Sequence, residues 1–187
     1  MGKVADALKG VKHLGLDSSP FIYFVERNPT YLDLCREVIR LIDTGTIIGY
    51  SSVVTLTEVL TLPKRLGRTV LEREHRELLT QSPFFLLVPI DVASAELAAE
   101  LRARYNLRTP DALQVATALV RRCEAFLTND ARLKRVAEIR VLTLDDLRET
   151  PCRLVRFRQH PPNSDGVKCC SRWRAIATYS GLISIPM

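Results

Sequence analysis

The chain has 187 residues, of which 47% are apolar, and a formal net charge of +6. This length and composition predict one globular domain with a sizeable core, and no apolar stretch approaches the ~20 residues that a membrane span requires. Five cysteines without zinc-ligand spacing favour reduced thiols, and together with the absence of an apolar leader segment they indicate a cytoplasmic protein.

The positive charge is unevenly distributed. Residues 148–187 hold seven Lys or Arg and two Asp or Glu, whereas residues 1–147 hold twenty and nineteen. Basic clusters before residue 148 are therefore more typical of solvated helix faces than of a nucleic-acid surface, although either remains open. Prolines and cysteines also become frequent after residue 150. We therefore predict a domain over residues 1–150 and a basic, irregular, poorly ordered tail over residues 151–187.

Strand-like and helix-like patterns alternate along the predicted domain. In chain order, the first half is predicted to hold a strand at 12–16, a helix starting at 18–20 with a hydroxyl cap, a helix at 31–42 ended by Gly45, a strand at 46–50, a helix from Ser51 or Ser52 to 63–67, and a charged helix at 69–79. The second half is predicted to hold a strand at 84–90, a helix from Asp91 or Ser94 to 105, a helix capped by Thr109 and reaching 122, a strand at 125–128, helical turns from 131, and a strand at 139–142. His75, within the charged helix, is expected to face solvent. Strands separated by helices predict a three-layer α/β/α sandwich around a central parallel sheet.

Three aspartates fall at the ends of these elements. Asp17 and Asp130 each end an apolar run of strand type, and Asp111 opens an apolar helix. Taken singly, each is more typical of a helix cap, a turn or a favourable charge in a first helical turn. Taken together, they lie at the edge where parallel α/β sheets place their sites, the carboxyl ends of the strands.

Glu58 is the fourth acid, and it interrupts the apolar run at residues 52–60. Helical spacing places it between Val54 and Leu62 on a face otherwise suited to burial. No capping role exists in the middle of a helix, so the alternatives are a partly exposed face, an ion pair with an arginine, or a shared cation. Carboxylates gathered at one sheet edge favour Mg²⁺ or Mn²⁺, which prefer oxygen ligands. Ser18, Thr128 and Asn129 add polar groups that either orient a water or phosphate or only form caps and turns.

Four short blocks, in this order and spacing, resemble the PIN-domain ribonucleases of the VapC toxin type. They are residues 16–19 with Ile22 and Tyr23, residues 51–58, residues 109–118, and residues 126–130 with Leu133. The resemblance implies a parallel α/β/α sandwich, dependence on Mg²⁺ or Mn²⁺, and hydrolysis of RNA. It also implies that Asp17, Glu58, Asp111 and Asp130 form the catalytic, metal-binding acidic quartet, and that Ser18 and Thr128 match the polar positions beside it.

A VapC-type protein would have an antitoxin as its partner. The predicted helices at 20–26, 31–42 and 52–62 carry more apolar residues than one sheet face can hide, among them Phe21, Tyr23, Phe24, Tyr31 and Leu32. A groove between them would suit an amphipathic partner helix, but these side chains would equally fill the core or a homodimer interface. Two other functions stay open: a PIN-like module that binds RNA or protein without cleaving, and a phosphatase or phospho-receiver, which the missing second acid after Asp17 disfavours.

Overall fold

The computed structural model describes residues 3–148 of the chain. Within that range there are five strands: β1 (His13–Leu16), β2 (Ile48–Ser52), β3 (Phe85–Val88), β4 (Ala125–Thr128) and β5 (Arg140–Thr143). There are seven α-helices: α1 (Lys3–Ala7), α2 (Ser19–Val25), α3 (Leu32–Asp43), α4 (Val53–Arg65), α5 (Thr69–Thr80), α6 (Val92–Tyr105) and α7 (Thr109–Val120). A 3₁₀ helix spans Ala131–Arg135. The predicted tail at 151–187 lies outside the described residues.

The five strands form one sheet in the order β3-β2-β1-β4-β5, and every neighbouring pair is parallel. The predicted α/β/α sandwich with a central parallel sheet is therefore confirmed. β1 is the central strand, with β2 paired to one of its edges and β4 paired to the other. Ligands of such sheets bind outside the carboxyl ends of the strands where the order reverses, which here lies between β1 and β4.

Two apolar clusters cover the two faces of the sheet. β4 shows the division, because Ala125 and Leu127 belong to one cluster and Phe126 belongs to the other, as the twofold alternation of strand side chains requires. Buried side chains of α1, α2, α3 and α5 join the first cluster, and those of α6 and α7 join the second. Both faces are therefore closed to water, as is usual for a parallel sheet.

Gly15, in the middle of β1, allows α7 to lie close to the sheet. A Cβ atom at this position would stand 2.6 Å from the Ala118 Cβ and 2.8 Å from the Phe126 ring. Both contacts are too short for carbon atoms, so a larger residue would push α7 away. The small residue thus helps to bring the first turn of α7, and with it Asp111, towards the end of β1.

The helices differ from the prediction in two features: one helix was not predicted, and one residue was placed on the wrong face. No helix was predicted before the first strand, yet α1 lies there and both Val4 and the following Leu8 are buried in the first cluster. His75 was expected to face solvent, yet it is completely buried. Its position follows from the helical period, because His75 and Leu79 are four residues apart and form the buried stripe of α5.

The helix starts differ from prediction in two places. α7 begins at Thr109 rather than being capped by it: Arg108 is the N-cap, and no side chain caps this end. Ser18 holds the N-cap position of α2, but its hydroxyl forms no capping hydrogen bond. The hydroxyl is oriented towards the carboxylate of Asp17 instead, which is the stronger acceptor. The predicted end of α3 is confirmed, because Gly45 follows it with a φ of +69°.

Across residues 3–148, the helices are all too short or too polar to cross a membrane.

Candidate active site

Asp17 directly follows β1, and its carboxylate is held by the residues around it. Oδ1 accepts hydrogen bonds from the Ser18 backbone N–H at 2.6 Å and from the Ser18 hydroxyl at 3.2 Å, and Oδ2 accepts one from the Ser19 hydroxyl at 3.1 Å. Thr128, the last residue of the neighbouring strand β4, donates its hydroxyl to Oδ2 at 2.7 Å. The carboxylate is therefore fixed at the junction of the two central strands.

Asp130 lies two residues beyond β4 and is linked to the same junction through Thr128. Its backbone N–H donates to the Thr128 hydroxyl oxygen at 3.0 Å. Its carboxylate caps the 3₁₀ helix by accepting the Arg132 backbone N–H at 2.9 Å, and it forms a two-pronged ion pair with the Arg132 guanidinium, the closest contact being 2.6 Å. This ion pair holds the pKa of Asp130 below its usual value. The expected capping role of Asp130 is thus confirmed, and its role in a metal site stays a prediction.

Glu58 lies on a face of α4 that is only partly buried. The face was expected to be suited to burial apart from Glu58, but Leu62 is 47% exposed and Val54 is half-buried, so the alternative of a partly exposed helix face is the one observed. Glu58 forms no ion pair within residues 3–148. Its Oε2 instead accepts a hydrogen bond from Gln114 Nε2 of α7 at 2.8 Å. A neutral amide, rather than the suggested arginine, is therefore the partner of this acid.

Burial and mutual repulsion act together on two of the acids. Burial raises the pKa of Glu58 above its ordinary value, and the negative charges of Asp17 and Asp111 raise it further, whereas Ser18 and Gln114 oppose the rise. Burial likewise raises the pKa of Asp111, and the charges of Asp17 and Asp130 add to the effect. The pKa of Glu58 thus responds to Asp17 and Asp111, and that of Asp111 to Asp17 and Asp130, which places the four acids near one electronegative centre.

The donor chemistry of this centre fits a hard divalent cation. The groups are carboxylate and hydroxyl oxygens, and their mutual repulsion is what a bound cation would relieve. Yet among residues 3–148 no three Asp, Glu, His or Cys side chains converge closely enough to hold a metal ion. The geometry gives a reason at Asp130, whose two oxygens contact Arg132. Binding would require that ion pair to loosen and the acids to move together.

The structure brings together most of the predicted polar residues. Ser18 and Thr128 both contact Asp17, whereas Asn129 donates its amide to the Tyr23 hydroxyl at 3.0 Å. Sequence reasoning missed Arg132 and Gln114, which contact two of the acids. Gln114 could have been recognised as a polar residue within an apolar helix, three positions after Asp111 and hence on the same face.

The PIN-domain family model matches residues 15–139 of the chain. This range begins within β1 and ends just before β5, so it includes all four acids. A comparison with curated protein sequences finds no significant match.

Solved structures share the fold at low sequence identity. The VapBC2 complex of Rickettsia felis bound to a DNA fragment from its promoter is 13% identical, with a TM-score of 0.54, covering 70% of this chain and 98% of the other. A toxin–antitoxin complex from Klebsiella pneumoniae is 23% identical, with a TM-score of 0.53 and coverage of 71% and 98%. DNA-bound VapBC from Salmonella typhimurium is 18% identical, with a TM-score of 0.55 and coverage of 72% and 98%.

Proposed function

Because this chain belongs to the PIN-domain family, we propose that it is a metal-dependent endoribonuclease, a hydrolase of RNA phosphodiester bonds. One observation carries the proposal: Asp17, Glu58 and Asp111 lie within electrostatic reach of one another, and none of them forms an ion pair within the described range. Half-buried acids that repel one another destabilise a fold unless a cation compensates them. We therefore assign Mg²⁺ or Mn²⁺ to this centre.

All four acids would contribute to binding the ion. Asp17 is the best fixed, because the hydroxyls of Ser18, Ser19 and Thr128 and the Ser18 backbone N–H orient its oxygens. Glu58 and Asp111 keep raised pKa values, so binding would release protons and strengthen as the pH rises. Asp130 would have to exchange Arg132 for the ion. A bound divalent ion would supply Lewis-acid chemistry, activating water and stabilising negative charge on the phosphate.

Two arginines lie near the acids and suit a phosphate backbone. Burial and the neighbouring acids raise the pKa of Asp111, and the positive charges of Arg108 and Arg132 oppose that rise, which supports placing both arginines near the acids. Arg132 would become available to a phosphate once Asp130 binds the ion. Ser18 and Thr128, which hold Asp17, would also help to orient the water. RNA, rather than DNA, follows from the resemblance of the four sequence blocks to PIN-domain ribonucleases.

We further propose that the protein is the toxin of a toxin–antitoxin pair, acting in the cytoplasm. All three similar structures are VapBC or toxin–antitoxin complexes. In this chain a cleft of about 880 Å³ opens between α2, α3 and α5, and its lining mixes apolar Phe24, Leu32 and Leu78 with charged groups such as Arg36 and Glu77. Such a lining suits one face of an amphipathic antitoxin helix. The expected groove thus includes α5 in place of α4.

The apolar residues expected to line that groove are divided between core and surface. Phe21 is buried in the core, whereas Tyr23 and Tyr31 stack on each other with ring centroids 5.1 Å apart and are half-buried. A homodimer is the second candidate arrangement, because Leu62 and Leu66 of the α4 end are about half exposed. Measuring the molecular size of the purified protein, alone and after co-expression with the product of its neighbouring gene, distinguishes a homodimer from a complex with an antitoxin.

Cleavage of RNA tests the enzymatic proposal against the alternative of a non-catalytic PIN-like module. Purified protein is incubated with single-stranded and structured RNA in Mn²⁺ or Mg²⁺, and in EDTA. We expect cleavage with the ions and none with EDTA. RNA binding without cleavage under every ionic condition would favour the binding module. A further outcome is that the protein cleaves RNA and yet is a strict monomer that captures no partner and does not slow growth when expressed. That combination of results would support the nuclease proposal and contradict the toxin proposal.

A further inference from the structure

A chain of buried hydrogen bonds runs from the end of β1 to Glu58. Ser51, on β2, donates its hydroxyl to the Leu16 carbonyl oxygen at 2.7 Å, and its oxygen lies 2.6 Å from the Thr55 hydroxyl oxygen. Gln114 Nε2 donates to Thr55 Oγ1 at 3.2 Å and to Glu58 Oε2 at 2.8 Å. Ser51, Thr55 and Gln114 are all at most 3% exposed. Three polar side chains are thus buried along a single path.

The direction of every hydrogen bond in this chain is determined by its first member. A carbonyl oxygen cannot donate, so the only hydroxyl hydrogen of Ser51 belongs to Leu16. Thr55 must therefore donate its own hydrogen to Ser51, and its oxygen can only accept from the next group. The Gln114 amide must then present its nitrogen, with one hydrogen for Thr55 and one for Glu58. The path ends in a donor that suits an ionised carboxylate.

The Gln114 amide oxygen shows what this orientation costs. Gln114 Oε1 is buried and has no hydrogen-bond partner among the described residues. An unpaired buried acceptor destabilises a protein, because it has lost its hydrogen bonds to water without replacement. Rotating the amide by 180° would exchange its oxygen and nitrogen, and the amide oxygen would then face the oxygens of both Thr55 and Glu58. A side chain selected only to fill the space beneath α7 would be apolar, as Ala112 and Val115 are on the same helix.

We propose that Ser51, Thr55 and Gln114 are positioning residues that fix the Glu58 carboxylate in the acidic centre. The inference rests on the proposed function, because Glu58 matters only if the centre binds a cation. Neither Ser51 nor Thr55 hydrogen-bonds to any of the four acids, so they act only through Gln114 and through the Leu16 carbonyl that precedes Asp17. Hydrogen-bond partners behind metal ligands typically change metal affinity by about 10- to 100-fold.

The first test uses full-length protein without metal, in EDTA. Proton NMR of the Gln114 side-chain amide should show both hydrogens protected from exchange with solvent. In Thr55→Val, which keeps the side-chain shape, one hydrogen loses its acceptor and its protection should be lost. Thr117→Val is the matched control, since Thr117 is also buried on α7 but donates only to the Leu113 carbonyl. Equal protection of both Gln114 hydrogens in Thr55→Val and wild type would overturn the inference, whether or not the protein binds metal.

The second test measures the affinity for Mn²⁺, from the electron paramagnetic resonance signal of the free ion. Thr55→Val and Gln114→Met should each weaken binding by at least about tenfold, whereas Thr117→Val should stay within about twofold of wild type. In a Glu58→Gln background, Thr55→Val should have no further effect, because the path then has no carboxylate to position. Wild-type affinity in both single variants would overturn the inference. Absence of Mn²⁺ binding by wild type would instead overturn the proposed function, and the NMR result would still decide the orientation of Gln114.

Discussion

Asp111 lies in the first turn of α7, where neighbouring negative charges repel its carboxylate. Burial and the charges of Asp17 and Asp130 raise its pKa in the folded protein. The folded state therefore binds more protons than the unfolded chain, in which an aspartate titrates near pH ~4. Stability from this group is fully present below that pH and is lost as the pH rises through the folded-state pKa. At neutral pH and without metal, Asp111 consequently destabilises the domain.

We expect Asp111→Asn to raise the melting temperature of the metal-free protein at pH 7 by about 2 °C, which corresponds to about 0.5–1 kcal/mol for a protein of this size. The difference should shrink towards zero near pH 4, because the wild-type carboxyl is then protonated. Thermal melts in EDTA across this pH range measure it, with Asp33→Asn as the control, since Asp33 is 91% exposed and paired only with Arg36. A lower melting temperature for Asp111→Asn at pH 7 would show that the carboxylate stabilises the fold.

Arg132 competes with a cation for Asp130. The arginine is largely exposed, with 61% of its side chain accessible, so the ion pair is screened by solvent and contributes little to stability. Arg132→Gln should therefore tighten Mn²⁺ binding by about two- to fivefold. Arg135→Gln is the control, because Arg135 contacts only the Asn106 carbonyl among the described residues. Weaker Mn²⁺ binding in Arg132→Gln would mean that the arginine supports the site rather than competing for it.

Residue-level prediction located the acids at the boundaries between elements. Asp17 directly follows β1 and Asp111 lies in the first turn of α7, as expected, although each alone would also suit a cap or a favourable first-turn charge. The partners were not identifiable, because Gln114 meets Thr55 and Glu58 only through the packing of α7 against α4. Sequence separation of more than fifty residues hides such contacts. Whether the four acids act as a catalytic quartet stays a prediction.

At the level of elements, the alternation of short apolar runs predicted all five strands, with errors of one or two residues at their ends. β3 ends at Val88 because Pro89 cannot continue a sheet ladder. α1 was not predicted because its five residues, of which only one is buried, are too few to show a helical period. His75 escaped notice because charged neighbours on both sides suggested an exposed face. Burial lowers the pKa of His75, so it is held neutral at pH 7.

The contact of α1 with the core predicts that the first ten residues stabilise the domain. Leu8→Ala removes a side chain that is 3% exposed and packed in the first apolar cluster. We expect it to lower the free energy of unfolding by about 2–4 kcal/mol, measured by urea denaturation. Lys9→Ala, at the next and exposed position, should change it by less than about 0.5 kcal/mol. Equal stability of Leu8→Ala and wild type would show that α1 does not pack as described.

At the scale of the whole molecule, the order of the strands in the sheet could not be read from the chain. The alternation of strands and helices allows several parallel arrangements, and only the long-range pairing of β1 with both β2 and β4 selects this one. That pairing places Asp17 beside Thr128 although 111 residues separate them. The family resemblance implied a parallel α/β/α sandwich, the same class that the pattern predicted, and neither gave the order of the strands.

Residues 3–148 contain all five strands and both apolar clusters. A chain ending at residue 150 should therefore fold, with a melting temperature within about 2 °C of the full-length protein. Residues 151–187 hold six Lys or Arg and one Asp, so RNA binding at low salt should weaken on truncation. Circular dichroism melts and a filter-binding assay measure the two effects. A truncated protein that aggregates or melts much earlier would show that the domain extends beyond residue 150.

The most direct measurement of the central claim is the Mn²⁺-dependent rate of RNA cleavage in four proteins: wild type, Asp17→Asn, Asp111→Asn and Asp33→Asn. If the acids at the ends of β1 and α7 hold the cation that drives hydrolysis, both site variants should lose at least about a hundredfold in rate while melting no earlier than wild type. Asp33→Asn should cleave like wild type. Wild-type rates in both Asp17→Asn and Asp111→Asn would contradict the account.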